Sequence, residues 1–194
     1  MILTLVRHAT LVLEYAGRRL LVDPMLGEQG SAPAVENTPN QLRGEGFADL
    51  RPVDGTIDLL GISIARTDGR HGTGEIGEQM APVSGFVLSA PDEPTLYIAG
   101  DTIWCDEVDA ALKEHAPGVV VVNAGGARFN VGDPITMTPA DVMAVAEGTP
   151  EETLVVAVHM DAINNCVDTR AALGAATSEP RILIPADGEA LGLG

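Results

Sequence analysis

Four short apolar runs in the second half of the chain each lead into a polar residue. Those four polar residues are Asp101, Asn123, His159 and Asp187. Short runs of this kind, such as the four valines before Asn123, predict strands that are buried on both faces. Because a buried strand needs no polar side chain, we expect the four strand ends to meet at a rim that carries a site. The alternative is that turns and helix caps place Asp and Asn at these points.

The other periodic segments predict two sheets that pack face to face, with helices covering the outside. In the first half the predicted elements are short strands, at residues 3–6, 10–15, 19–22, 49–53, 56–60, 62–67, 84–89 and 95–99. A glycine-rich loop is predicted over 68–80. In the second half strands alternate with helices, the strands at 119–122, 154–158 and 182–184 and the helices at 103–115, from 138 and at 168–176. Residues 1–194 are predicted to form a single domain.

Composition narrows the function further. The formal net charge of −17 disfavours nucleic acid and anionic membrane surfaces as partners, because both would be repelled. No apolar run reaches the length of a membrane span, and the first residues lack a basic leader. The two cysteines, Cys105 and Cys166, do not indicate a secreted disulfide framework. We therefore expect a cytoplasmic protein.

His71, Asp101 and His159 form a candidate ligand set of two imidazoles and one carboxylate. Neutral imidazole and carboxylate are normal ligands of Zn²⁺, Mn²⁺ or Fe²⁺. The glycines around His71 would let the backbone approach a metal closely. The alternative is that a lone loop histidine is solvated or capping. Cys166 is expected to be a small buried apolar residue, with a role as a replacement ligand less favoured.

Several motifs, in order along the whole chain, resemble one hydrolase family. They include Val6-Arg7-His8-Ala9-Thr10, Leu20-Leu21-Val22-Asp23-Pro24, Arg70-His71-Gly72, Ile98-Ala99-Gly100-Asp101-Thr102 and Val158-His159-Met160-Asp161. On these motifs the chain resembles the metallo-β-lactamase-fold hydrolases, in the ascorbate-phosphate-lactonase-like branch. The resemblance implies a four-layer αββα sandwich, an α+β fold, with a metal site at the rim between the sheets.

The resemblance also implies roles for individual residues. His71 resembles a ligand of a first metal, Asp101 an aspartate that bridges two metals and contributes to catalysis, and His159 a ligand of the second metal with a catalytic role. Asp23 resembles an aspartate that supports the site from behind. His8 matches a histidine that is expected to line the pocket.

One hallmark of the family is absent from this sequence. The motif His-x-His-x-Asp-His, which follows an apolar strand and supplies two ligands to each metal, occurs nowhere in the chain. It would be expected between Asp23-Pro24 and Gly46-Phe47, where a polar stretch without periodicity lies instead. A strand–loop–helix piece is therefore predicted to be missing, with the join near Asn40-Gln41. The remaining ligands imply at most one metal per chain, weakly bound.

Three functional hypotheses remain open. The first is a metal-dependent hydrolase of a small lactone, ester or phosphodiester, with a small-molecule substrate and possible homo-oligomers. The second is a catalytically inactive derivative that acts as a binding module. The third is a shortened version of an active enzyme, which the motifs on both sides of the join favour.

Overall fold

The computed structural model describes residues 1–24, 46, 48–80 and 82–194. In these ranges the strands are β1 Ile2–Arg7, β2 Thr10–Tyr15, β3 Arg18–Val22, β4 Thr56–Leu59, β5 Ile62–Gly69, β6 Val83–Ser89, β7 Leu96–Ile98, β8 Val119–Asn123, β9 Leu154–Val158, β10 Ile182–Leu183 and β11 Ala190–Gly192. The helices are α1 Gly74–Gln79, α2 Asp106–His115, α3 Pro139–Glu147 and α4 Arg170–Ala176.

The strands form two sheets. One is four-stranded and antiparallel, in the order β11-β1-β2-β3. The other is seven-stranded, in the order β10-β9-β8-β7-β6-β5-β4. Strands β7 to β10 are mutually parallel, whereas β4 to β7 are antiparallel. The carboxyl ends of β7, β8, β9 and β10 therefore lie at one edge of the larger sheet.

The apolar core has two layers, one on each face of the seven-stranded sheet. Side chains alternate between faces along a strand, and the valines of β8 show this directly. Val119 and Val121 pack with Leu3, Leu5 and Leu13 of the smaller sheet. Val120 and Val122 pack instead against residues of the helices, including Val108, Leu112, Val142, Val145 and Leu173. A strand that is covered on both faces needs a continuous apolar run, which is why β8 consists largely of valine.

This arrangement confirms the predicted fold class, a sandwich of two sheets with helices outside. Within the described residues, α2, α3 and α4 contribute buried side chains to the helical layer on the seven-stranded sheet. The predicted missing piece and its join near Asn40-Gln41 fall in 25–45, outside the described residues. In the described part of the chain the longest helix has ten residues, far fewer than the twenty or so that cross a bilayer.

The sequence signal for α3 is confirmed in detail. The Thr138 side chain accepts from the Asp141 backbone N–H, and the Asp141 side chain accepts from the backbone N–H of Thr138. Pro139 is the first helical residue, where its missing N–H costs nothing. This reciprocal cap fixes where the chain leaves the rim after β8 and turns back over the sheet.

Two predictions about local structure were wrong, and one strand was not predicted. Residues 49–53 are not a strand: Pro52 cannot donate to a ladder, and Arg51 bonds to Asp49 two residues away. The glycine-rich stretch 68–80 contains the short helix α1. Strand β11 was not predicted, because its pairing with Ile2–Thr4 depends on the partner strand and not on a local pattern.

Tyr15 ties the two sheets together through its hydroxyl group. This side chain is fully buried, and its hydroxyl lies 3.1 Å from the Leu88 carbonyl oxygen and 3.0 Å from that of Pro94. Nearby, Glu93 accepts from the Ala16 backbone N–H and pairs with the amino group of Met1. A polar link at this end of the sandwich therefore accompanies the apolar packing between the sheets.

We expect Tyr15→Phe to lower the free energy of unfolding by about 1–2 kcal/mol, because the single hydroxyl proton that the Leu88 and Pro94 carbonyl oxygens share is lost. Urea denaturation measures the change. Tyr97→Phe is the matched control, since the Tyr97 side chain is equally buried but its hydroxyl lies near the Thr67 hydroxyl without a hydrogen bond of good geometry to any described residue. Equal losses in the two variants would contradict the assigned role of Tyr15.

Candidate functional site

Three of the four polar strand ends meet at the edge of the larger sheet. Asn123, at the end of β8, donates from Nδ2 to Oδ1 of Asp101 at 2.7 Å. Nε2 of His159, just after β9, lies 3.4 Å from the same oxygen. The parallel arrangement of β7, β8 and β9 places these side chains side by side, as predicted. Asp187 lies apart from this contact and pairs with Arg170.

Two residues from the smaller sheet reach the same rim. His8 follows β1, and its ring stacks on that of His159 with centroids 3.6 Å apart and planes tilted by 35°. The backbone N–H of His159 also donates to the His8 carbonyl oxygen at 2.9 Å. Asp23 follows β3, and its carbonyl oxygen accepts from the Thr10 hydroxyl at 2.7 Å. The rim is thus built from both sheets, and His8 contacts a site residue directly.

The backbone at the rim is strained. His8, Asp23 and His159 have φ angles of 56°, 43° and 65°, in the left-handed region that favours glycine. Each such residue costs on the order of 1–3 kcal/mol, and the surrounding structure must hold it there. Left-handed residues at three strand ends that meet are typical of a site whose side-chain directions matter more than local backbone stability.

His71 belongs to the same electrostatic neighbourhood but enters from a separate loop. Burial lowers its pKa, the negative charge of Asp101 opposes that change, and His159 adds to it. The Arg70 backbone N–H donates to the Thr102 hydroxyl, and the Ile103 N–H donates to the Arg70 carbonyl, so this loop is fixed next to the segment that follows Asp101. His71 also lines a neighbouring open cavity of about 530 Å³.

The tightest cluster of potential ligands differs from the predicted set. In the part of the chain that the structure describes, one group of three has all its ligand atoms within 4.8 Å of one another: His8, His159 and Cys166. His71 and Asp101 are outside that group, although Asp101 contacts His159. Metal binding by His71, Asp101 and His159 therefore remains a prediction.

The histidines suit a metal because they are held in the neutral form. Burial lowers the pKa of His8 to about 4, and burial also lowers the pKa of His159 and His71. A neutral imidazole has a free lone pair at neutral pH, which is the form that coordinates a metal. Nδ1 of His8 is buried without a hydrogen-bond partner, a costly state that a bound ion could relieve. This donor set fits a divalent metal ion.

Asp23 has the opposite tendency. Although the residue is exposed in the described structure, burial of its carboxyl group raises its pKa, as does the negative charge of Asp101. His159 partly offsets that increase. Asp23 therefore lies close enough to the Asp101–His159 pair to interact with both charges, and its supporting role remains a prediction.

A cavity of about 300 Å³ opens beside Asp101. Its walls are mostly apolar, with Asp23, Ser84, Asp101 and Asn123 as the polar groups. The apolar lining comes from both sheets: Ala9, Leu11, Val22, Phe86, Ile98 and Val121. No described lysine or arginine lines this space. An apolar pocket with a few convergent polar groups is typical of a small-molecule site.

Cys166 is the site residue that sequence reasoning undervalued. It is buried, and its Sγ lies 3.5 Å from Nδ1 of His159, on the ring edge opposite Asp101. The sequence feature that could have indicated this contact is the spacing of seven residues between His159 and Cys166, which allows a loop to bring the cysteine back to the histidine ring. That signal is weak, because a buried free cysteine is usually a packing residue.

We expect His8 to make the protein acid-sensitive. In the unfolded chain His8 binds a proton below about pH 6.5, whereas in the fold it stays neutral until about pH 4, so stability is lost as the pH falls through this window. The loss is on the order of 3 kcal/mol. His8→Asn, which tolerates the left-handed backbone, should flatten the dependence of unfolding free energy on pH between 4 and 6.5, measured by urea denaturation with a chelator present. Measurements at pH 8, where His8 is neutral in both states, give the baseline; an unchanged acid slope would contradict the assignment.

Comparison with known proteins places this geometry in a family. No protein-family model matches the chain. The UPF0173 protein YddR from Bacillus subtilis is 27% identical over an alignment of 250 residues, covering 96% of this chain and 98% of YddR. A UPF0173 metal-dependent hydrolase from Azorhizobium caulinodans is 30% identical over 96 residues, covering 47% of this chain and 40% of that protein. The alignment with YddR is longer than the 194 residues of this chain, so YddR contains residues without a counterpart here.

The solved structures most relevant here include hydrolases, as do the sequence relatives. The isothiocyanate hydrolase from Delia radicum gut bacteria is 32% identical, with a TM-score of 0.87 over 100% of this chain and 99% of that one. A possible metal-dependent hydrolase from Veillonella parvula is 24% identical, with a TM-score of 0.89 over 98% of each chain. The metallo-β-lactamase fold protein YhfI from Bacillus subtilis shares the fold at 9% identity, with a TM-score of 0.55 over 79% of this chain and 61% of that one. The chain belongs to the metallo-β-lactamase-fold hydrolase superfamily.

Proposed function

We propose that this protein is a metal-dependent hydrolase of small, uncharged electrophiles, acting at the rim that carries Asp101 and His159. The observation that carries the proposal is the Asp101 carboxylate, held between Asn123 Nδ2 and His159 Nε2 on the wall of the 300 Å³ cavity. The likeness to an isothiocyanate hydrolase at 32% identity supports the hydrolytic class.

Asp101, His159 and His71 are the proposed ligands, with a single Zn²⁺ held by Asp101 and one of the two histidines and with water in the remaining positions; Mn²⁺ or Fe²⁺ are the alternatives. When bound, such an ion lowers the pKa of a coordinated water to about 7 and polarises the bond that is to be cleaved. The lowered pKa values of His71 and His159 keep both rings ready to coordinate at neutral pH. With three protein ligands at most, binding is expected to be weak and exchangeable.

Two other polar residues at the rim have supporting roles: one orients the Asp101 carboxylate, and the other accepts a proton. Asn123 is buried, and its amide fixes one oxygen of Asp101, so the second oxygen can turn towards an ion or a substrate. Asp23, with its raised pKa, is the group best suited to take up a proton as water attacks. The apolar walls exclude bulk water, which strengthens each of these interactions.

Charge and size decide between substrate classes. The cavity has two carboxylates and no described cationic side chain in its walls, so once a divalent ion offsets the carboxylates no described positive charge remains to pair with an anionic phosphodiester. A volume of about 300 Å³ with apolar walls suits a compact neutral molecule. We therefore favour an isothiocyanate, a lactone or a small ester over a phosphodiester.

The inactive binding module is the second candidate. It is favoured by the absence of the His-x-His-x-Asp-His motif and by the residues of YddR that have no counterpart in this chain. A site that lacks part of its ligands can retain its pocket and its apolar specificity while losing turnover. The two candidates differ in one measurable respect, which is metal-stimulated hydrolysis that depends on Asp101.

We expect purified protein supplied with Zn²⁺ to hydrolyse a small aryl isothiocyanate or ester, and a chelator to stop the reaction. Asp101→Asn should lower the turnover number by about two orders of magnitude or more, because the change removes the carboxylate charge beside His159. Turnover is followed by loss of isothiocyanate absorbance, with bis(p-nitrophenyl) phosphate as the anionic comparison substrate.

Asp92→Asn is the matched control for this experiment. Asp92 lies in the exposed turn between β6 and β7, and its left-handed φ of 63° accommodates asparagine. It should retain the activity of the unmodified protein. Turnover that resists chelation, or that survives Asp101→Asn, would overturn the proposed mechanism; no turnover with any neutral substrate would favour the binding module.

A further inference from the structure

The ring of His159 presents one nitrogen to each of two different environments. Nε2 faces Asp101 at 3.4 Å, on the side of the proposed hydrolytic site. Nδ1 faces the Cys166 sulfur at 3.5 Å, in the protein interior. His8 stacks on the same ring and completes the buried cluster whose ligand atoms lie within 4.8 Å of one another. The proposed hydrolytic site needs neither Cys166 nor His8.

We propose that His8, His159 and Cys166 form a second, thiolate-containing metal site, on the Nδ1 side of His159, for a borderline divalent ion such as Zn²⁺ or Co²⁺. Two imidazoles and one sulfur are a donor set that favours these ions over Mg²⁺ or Ca²⁺. All three residues are more than nine-tenths buried, so the site is enclosed, although His8 and His159 also border the rim.

The spacing of the donor atoms suits a metal. With metal–nitrogen bonds of about 2.0–2.1 Å and a metal–sulfur bond of about 2.3 Å, tetrahedral geometry separates nitrogen and sulfur by about 3.5 Å. The observed distance between Cys166 Sγ and His159 Nδ1 is 3.5 Å. Every pair in the cluster lies within 4.8 Å, so the His8 donor would move by at most about 1.5 Å to share the ion.

A second observation points to an absent partner. Nδ1 of His8 is buried and makes no hydrogen bond within the described structure. An unpaired buried ring nitrogen costs about 1–3 kcal/mol, and natural structures rarely leave one without a compensating group. A metal ion coordinated at the nitrogen edges of the two rings would satisfy a nitrogen that no described residue reaches.

The backbone around Cys166 is arranged to bring the sulfur to this place. A β-carbon on Gly125 would lie 2.3 Å from the His159 carbonyl oxygen and 2.8 Å from the Cys166 sulfur, so only glycine allows the two segments to approach. The Cys166 loop is anchored by a bridge to Ala127 and by a hydrogen bond from the Arg128 N–H to the Asn165 carbonyl. The sulfur therefore sits in a fixed position and not on a free loop.

Binding involves one proton transfer. The S–H bond of Cys166 breaks, a sulfur–metal bond forms, and the proton passes to water, with no change in oxidation state. Burial raises the pKa of the Cys166 thiol to about 12, so without metal the thiol is protonated at neutral pH. With the hydrolytic site empty, each ion bound here should release one proton, from the Cys166 thiol. With both sites occupied, the His159 ring that they share also loses its N–H proton, so the second ion releases two.

Titration of the metal-free protein with Co²⁺ tests the proposal. The expected result is a sulfur-to-cobalt charge-transfer band that stops growing once one Co²⁺ per chain occupies this site. The band should be absent from Cys166→Ser. Cys105→Ser, a matched change at the other cysteine, should keep the band, and so should Asp101→Asn. His8→Asn should weaken Co²⁺ affinity at least tenfold, since even outer partners of ligands contribute about 10–100-fold.

The outcomes separate this site from the proposed hydrolytic one. No charge-transfer band in the unmodified protein, or a band that survives Cys166→Ser, would overturn the proposal and leave Cys166 as an orienting partner of His159. If Cys166→Ser does not fold by circular dichroism, X-ray absorption of the Co²⁺-loaded Cys105→Ser protein serves instead, and it should show one sulfur neighbour about 2.3 Å from the metal. A first shell of nitrogen and oxygen alone would also count against the site. Hydrolysis that depends on Asp101 is untouched by either result.

Discussion

The contact that the rest of the site depends on is the sharing of one Asp101 oxygen between Asn123 and His159. It exists because three neighbouring parallel strands end at the same edge of the larger sheet. Each strand delivers one polar side chain to that edge, and Asn123 lies 2.7 Å and His159 3.4 Å from the same carboxylate oxygen. The valine-rich cores on both faces of the sheet hold these strands in register. Packing far from the rim thus determines distances within it.

The smaller sheet has a different role. It supplies His8 and Asp23 from the ends of β1 and β3, and both residues adopt left-handed backbone conformations. His159 does the same at the end of β9. This strain at the point where the two sheets meet is stabilised by the apolar layer between them. The rim is consequently a property of the sandwich as a whole and would not persist in either sheet alone.

Much of the fold could be predicted from the sequence, because buried strands appear there as short, continuous apolar runs. The valines of β8 and the cap of α3 specify elements that tertiary context did not alter. Strand β11 could not be foreseen, since its three residues pair only because β1 offers an edge. The strand predicted at 49–53 does not form. Its apolar residues pair with no neighbouring strand, and Pro52 has no N–H to donate to one.

The site was predicted in part for the same physical reason. Asp101 and His159 follow apolar strands, so their convergence follows from sheet topology once the strands are assigned. The stacking of His8 on His159 and the approach of Cys166 depend on a glycine at 125 and on a loop that returns beneath the rim. No pattern in the sequence carries that information. Resemblance to a known family identified His8 as a pocket residue but gave no indication of a sulfur behind the ring.

Anomalous diffraction at the zinc absorption edge, from crystals grown with Zn²⁺, would locate a metal ion at the rim. We expect a peak about 2.0–2.2 Å from an oxygen of Asp101 and from Nε2 of His159. A further peak about 2.3 Å from the Cys166 sulfur would mark the second site. Fully occupied density elsewhere on the surface, with none beside Asp101, would contradict the claim that this rim is a metal centre.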